Sequence, residues 1–171
     1  MNSTISAIIR KMIQYNQADP GRVQHAIKVY AFAKAIGERE AVDAKTMEIL
    51  ELAAVLHDIG IRNSERKYGS TDGKHQELEG PPVAEEMLKS LCVPEDVIKR
   101  VCFLIGHHHT YTQIEGIDYQ ILIEADFLVN IYEDHLMEDQ ARTVLRKYFQ
   151  TDAGKEYLTE MYLSKPESKP E

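Results

Sequence analysis

An all-α, single-domain helical bundle is the fold this sequence predicts, and three observations predict it. Apolar residues recur at helical spacing through nearly the whole chain. Strand-like alternation and internal repeats are absent. Helix starts are marked by residues whose side chains or fixed φ suit the first turn, among them Asp19-Pro20, Asp43 and Pro94.

The elements follow in order. Ser3 or Thr4 caps a first helix whose Ile5, Ile8, Ile9, Met12 and Ile13 share one face. Asp19 caps a second, with Pro20 at its first position, reading RVQHAIKVYAFAKAIGE. Asp43 caps a third, AKTMEILELAAVLHD, which Gly60 helps to end. From Ile61 to Lys74 the apolar period stops, so IRNSERKYGSTDGK reads as a long polar loop, a kind of segment that often carries function. Pro81 and Pro82 start the next helix, PVAEEMLKSL, and Pro94 starts EDVIKRVCFLIGHHH. IDYQILIEADFLVNIYED is a strongly apolar helix, and two amphipathic helices, MEDQARTVLRKYF and DAGKEYLTEMYL, either close the core or form the face of a homodimer. One domain therefore spans residues 1–163, and the SKPESKPE tail at 164–171 is expected to be disordered.

Composition narrows the function. The 171 residues are 43% hydrophobic, enough to bury one core. A net charge of −8 argues against a nonspecific nucleic-acid binder held by a basic surface, though a small phosphorylated ligand needs only a local positive site. Cys92 and Cys102 are too few for a disulfide framework and lack zinc-ligand spacing. With no signal peptide and no run near the roughly 20 apolar residues of a membrane span, a cytoplasmic location without membrane attachment is expected.

The polar residues set into apolar helices carry the chemistry. In AAVLHDIG, His57 and Asp58 close a run that leaves no polar side, so Asp58 must meet a cation, strong donors or a metal. The two side chains are offset by about 100° around a helix and reach one ion only over the edge between them. Asp126, in ILIEADFLVN, is a poor mid-helix residue unless it has a buried task. His25, alone, reads as a half-buried core histidine. The run His107-His108-His109 alone could simply complement a helix C-terminus. Together His25, His57, Asp58, a histidine of the triplet and Asp126 offer nitrogen and oxygen ligands from four helices, a set that suits iron, manganese, zinc or nickel better than calcium.

These residues resemble the HD superfamily of metal-dependent phosphohydrolases. Its order of a helix-borne histidine, a His-Asp pair and a distant aspartate matches His25, His57-Asp58 and Asp126, and LELAAVLHDIG is close to the family's central motif. The resemblance covers about residues 20–135 and implies an HD-type bundle in which those four residues hold one divalent transition metal: Fe, Mn, Ni, Co or Zn. It also implies a second ion in some members, here held by His108 and His109 with either His75 or Glu79. Asp58 would bridge the ions, and Glu79 or His75 would move the water's proton, making Asp58 and Glu79 the catalytic pair. Arg22, Lys28, Arg62 and Arg66 flank the motifs as clamps for substrate phosphates. The expected activity is hydrolysis of a phosphoester or phosphoanhydride, with a nucleotide as the expected substrate class. Two alternatives use the same ligand scaffold: a di-iron oxygenase, and a noncatalytic ligand-sensing module.

Overall fold

Water has no polar stripe to meet between Ile49 and Leu56, and the fold encloses that run on all sides. The computed structural model describes residues 3–163. Among them are nine helices: α1 (Ser3–Tyr15), α2 (Pro20–Arg39), α3 (Ala44–Leu56), α4 (Ile61–Tyr68), α5 (Gly73–Lys89), α6 (Glu95–Ile105), α7 (Ile117–Glu133), α8 (Glu138–Tyr148) and α9 (Asp152–Tyr162). The centre is the packing of α2 on α3 and α7, with α3 also against α7. The pair α5–α6 joins through α6 to α3, α1 lies on α3, and α8–α9 cover α7. The last two helices thus close the core. Among the described residues no strand occurs, and no helix is long and apolar enough to cross a membrane.

Local chemistry sets the starts. The Asp19 carboxylate accepts from the Arg22 amide at 3.1 Å with Pro20 at the first position, and Asp43 accepts from the amides of Lys45 and Thr46. Ile5, Ile8 and Met12 of α1 are buried, whereas Ile13, expected on the same face, is 45% exposed.

Three expectations about the segment after the His-Asp pair need correction. Helix α3 stops at Leu56, not near Gly60, so His57 and Asp58 sit in a tight turn whose amides bond back, Ile59 to Leu56 and Ile61 to Asp58. The expected loop at 61–74 is mostly helical. Helix α4 has apolar residues only at its two ends, Ile61 and Tyr68, but Ser64 is buried and donates to the Ser70 carbonyl at 2.6 Å, and Gly69 ends the helix at φ +61 with its amide on the Glu65 carbonyl. Helix α5 begins at Gly73 and runs through Pro81 and Pro82 instead of starting there. Its buried stripe, Gln76, Glu79, Gly80, Ala84 and Leu88, keeps one helical phase across the prolines, so tertiary packing offsets their local cost. Gly60 permits this approach: a Cβ there would lie 2.5 Å from the Gln76 carbonyl oxygen and 2.6 Å from the Gly80 nitrogen. The tail expected to be disordered lies outside the described residues.

Candidate metal centre

Four elements deliver the central residues. Helix α2 presents Arg22 and His25 one turn apart, and the turn after α3 presents His57 and Asp58. The turn after α6 presents His108 and His109, and α7 presents Asp126, Asn130 and Glu133 on one face at intervals of four and three.

The structure brings His25, His57, Asp58 and Asp126 together. The Nε2 atoms of His25 and His57 are 3.1 Å apart. Asp126 Oδ1 lies 3.2 Å from His25 Nε2 and 3.5 Å from His57 Nε2, and Asp58 Oδ2 lies 3.4 and 3.5 Å from the same atoms. A second trio shares Asp58: its Oδ1 is 3.3 Å from His108 Nε2, and His109 also places a ring nitrogen within 4.8 Å of both. His107 is turned away, stacked on Phe103 at 4.3 Å with Nδ1 donating to the Phe103 carbonyl.

Hydrogen bonding fixes which nitrogen carries each proton. Nδ1 of His57 faces the Ala54 carbonyl at 2.8 Å, and Nδ1 of His108 faces the Ile105 carbonyl at 2.7 Å. A carbonyl only accepts, so both Nδ1 atoms donate and both Nε2 atoms of the neutral rings carry lone pairs. Nδ1 of His25 donates to Glu133 Oε2 at 2.8 Å, which leaves its Nε2 with a lone pair as well. Two lone pairs 3.1 Å apart, flanked by two carboxylates, repel unless a cation lies among them. Asp126 Oδ1 and His108 Nε2 are buried without any hydrogen-bond partner. The donor set therefore fits a divalent metal: the trio His25, His57 and Asp58, with the Asp126 carboxylate against both imidazoles, for one ion, and Asp58, His108 and His109 for a neighbouring one.

Titration behaviour carries the same message. Burial opposes a charged His25, yet the carboxylates of Asp126, Asp58 and Glu133 raise its pKa to about 9. Burial likewise opposes charge on Asp126 and Asp58, but His25 and His57 on the former, and His57 and His108 on the latter, hold both carboxyls well below the usual range. Without a metal, a proton is the cation the cluster recruits. His109 goes the other way, lowered by burial and by His108.

Two hollows reach this region. A groove of about 330 Å³ lies over His25 and Asp58, lined also by Gly21, Arg22, Asn130 and Glu133. Another of about 340 Å³ reaches His109 between Lys74, Glu77 and Tyr111. Arg22 stands at the first mouth, with its guanidinium on Asp19 at 3.1 Å and Glu65 at 2.6 Å. Lys28 is bonded to Glu133.

Four expected residues lie elsewhere, Arg66 among them, in the cavity that also holds Arg62. Both Glu79 oxygens are taken, by Lys67 at 2.6 Å and Tyr68 at 3.0 Å, so its carboxylate belongs to the α4–α5 contact. His75 stacks on the Tyr68 ring at 4.1 Å. Arg62 donates to the Tyr15 carbonyl and sits over the Tyr15 ring, in a cavity that shares no residue with the groove over His25. From α5, Gln76 meets a ring nitrogen of the second trio, since its amide donates to the Thr71 carbonyl at 2.7 Å and turns Oε1 toward His109 Nε2 at 3.2 Å, while Glu77 accepts from the His109 backbone amide at 3.0 Å. Sequence reasoning missed Gln76, because its facing depends on where α5 starts. It also missed Glu133, for which a signal existed: two helical turns after Asp126, it shares that residue's face.

The HD domain family model matches residues 22–160. A crystal structure at 1.45 Å, of a predicted HD superfamily hydrolase from an uncultured Thermotogales bacterium, superposes with a TM-score of 0.62 and 24% sequence identity, covering 94% of this chain and 83% of that one. That likeness concerns the fold. Among curated proteins no relative matches this chain.

Proposed function

The chain belongs to the HD domain family, and from that premise we propose that it is a divalent-metal-dependent phosphohydrolase acting on a phosphoester or phosphoanhydride of a small molecule, a nucleotide being the favoured class. The observation that carries the reading is the convergence of two imidazole lone pairs and two carboxylates beneath an open groove. His25, His57, Asp58 and Asp126 would hold the ion, and Fe, Mn, Ni, Co and Zn all suit the set. A bound divalent ion supplies Lewis acidity, which lowers the pKa of water and neutralises charge on a phosphoryl group.

The protein's own residues do the rest. Glu133 holds His25 in the tautomer that exposes Nε2, and the Ala54 and Ile105 carbonyls do the same for His57 and His108. Asp58 joins the two trios through its two oxygens, the position a bridging carboxylate needs. Arg22 lines the groove as the guanidinium placed to meet a phosphate, with Asn130 in the same groove as a neutral donor. His109, kept neutral by burial, is available as a ligand or proton acceptor beside Asp58, the part Glu79 is too occupied to play.

A second reading, a di-iron oxygenase, draws on the Asp58-sharing pair of trios, which would serve two irons equally well. Metal analysis of the purified chain, with phosphate release measured on a nucleotide panel in manganese, nickel, cobalt and ferrous forms under anaerobic conditions, separates the two. Hydrolysis without oxygen that is lost in Asp58→Ala supports the phosphohydrolase. About two irons per chain with no hydrolysis in any form would overturn it in favour of the oxygenase.

A further inference from the structure

Outside the histidine cluster, a cavity of about 460 Å³ between α1, α4 and α5 is lined by more cations than anions. Each helix contributes a pair one turn apart: Lys11 and Tyr15 from α1, Arg62 and Arg66 from α4, Val83 and Met87 from α5. The other charges of α4 are matched, Glu65 with Arg22 and Lys67 with Glu79. The side chains of Lys11 and Arg66 form no hydrogen bond or ion pair with any described residue, although Lys11 is half-buried and Arg66 acts through space on Glu79. Arg62 uses one nitrogen on the Tyr15 carbonyl and keeps its remaining donors. Glu86 is the one carboxylate in the wall, so three cations face one anion in a protein of net charge −8.

Gathering like charges on one helix face and opposite it costs free energy that a purely structural surface would relieve with carboxylates. Arginine forks match phosphate oxygens, and the floor of Tyr15, Val83 and Met87 offers an apolar surface beside them. We propose that this cavity is a second ligand site, separate from the metal centre, that binds a small phosphorylated organic anion with its phosphate on Lys11, Arg62 and Arg66 and its apolar body on Tyr15, Val83 and Met87. The site does not depend on the metal chemistry.

The test is an NMR titration of the full chain with inorganic phosphate and with benzylphosphonate, which has no ester for a hydrolase to cleave. Saturable amide shifts are expected at Asn63, Arg66 and Ser90, with benzylphosphonate binding tighter than phosphate. The paired change Lys11→Glu and Arg66→Glu should weaken binding by about tenfold or more, and Glu86→Gln, which removes the opposing charge, should strengthen it. Shifts confined to Gly21 and Asn130, no saturable shift with either probe, or binding indifferent to both variants would each overturn the assignment.

Discussion

Replacing Glu133 tests whether the metal centre is prepared from outside its ligands. Its carboxylate touches no other carboxylate of the cluster. It accepts the Nδ1 proton of His25 at 2.8 Å, and its second oxygen is tied to Lys28. Loss of such a partner lets the imidazole rotate or exchange tautomers, and typically costs roughly 10- to 100-fold in metal affinity, or about 1.4–2.7 kcal/mol. Because the Glu133 side chain is 30% exposed, water can replace part of what it provides, which puts Glu133→Leu near the lower end, about tenfold. Glu133→Gln keeps an oxygen toward His25 but removes the charge, so it should lose only a few-fold. Competition with a chelating indicator for Mn or Zn reads both affinities, with circular dichroism to confirm the fold. Leu within twofold of the wild type would refute the orienting role, and equal losses in Gln and Leu would show that charge alone matters.

Other substitutions separate stability from the metal centre. Glu124 is fully buried and accepts from Gln120 Nε2, the amides of Gln150 and Thr151, and the Thr151 hydroxyl, so Glu124→Ala strands four donors and should cost about 3–5 kcal/mol. A drop in Tm on the order of 10 °C with metal affinity unchanged is expected, because residue 124 lies roughly 200° around α7 from Asp126. Gly60→Ala drives a Cβ against the backbone of α5 and should cost about 1–3 kcal/mol by overpacking, with metal affinity falling too because Asp58 shares that turn. Burial pushes the Cys102 thiol up to about 11, so its alkylation, followed by mass spectrometry, should lag behind that of exposed Cys92 at pH 8 and rise steadily as the pH approaches 11.

How much of this could be read from the sequence depends on the kind of signal. Helices with a continuous apolar face and a capping carboxylate, such as those after Asp19 and Asp43, were legible, because the period and the cap agree. Helix α4 was not: eight residues with apolar side chains only at the two ends carry no period, and the helix is held by contacts from distant residues, such as Glu79 on Lys67. The proline pair misled for a related reason. Proline at a first helical position is the commoner use, and only packing of Gln76 and Gly80 against Gly60, and of Gly80 against Ile105 of α6, shows that α5 is already two turns old when it reaches Pro81.

That shift in the start of α5 explains the one part of the centre that was misplaced. His75, Gln76 and Glu79 lie within five residues, and on a helix of unknown start any of them is a candidate for facing His109. Once the helix runs unbroken from Gly73, Gln76 lies about 100° from His75 and about 60° from Glu79, and the three point to different neighbours. His75 goes to the Tyr68 ring, Glu79 to Lys67, and Gln76 to His109. His57, Asp58 and Asp126 escaped this ambiguity because each is polar within an apolar stretch, a mismatch whose cost only a buried partner removes, whereas His25, between Gln24 and Lys28, was legible only as part of the set. In α5, where Gln76 and Glu79 are both buried and both polar, mismatch identifies two residues with buried tasks, and which one meets the metal centre is decided by the backbone contact at Gly60.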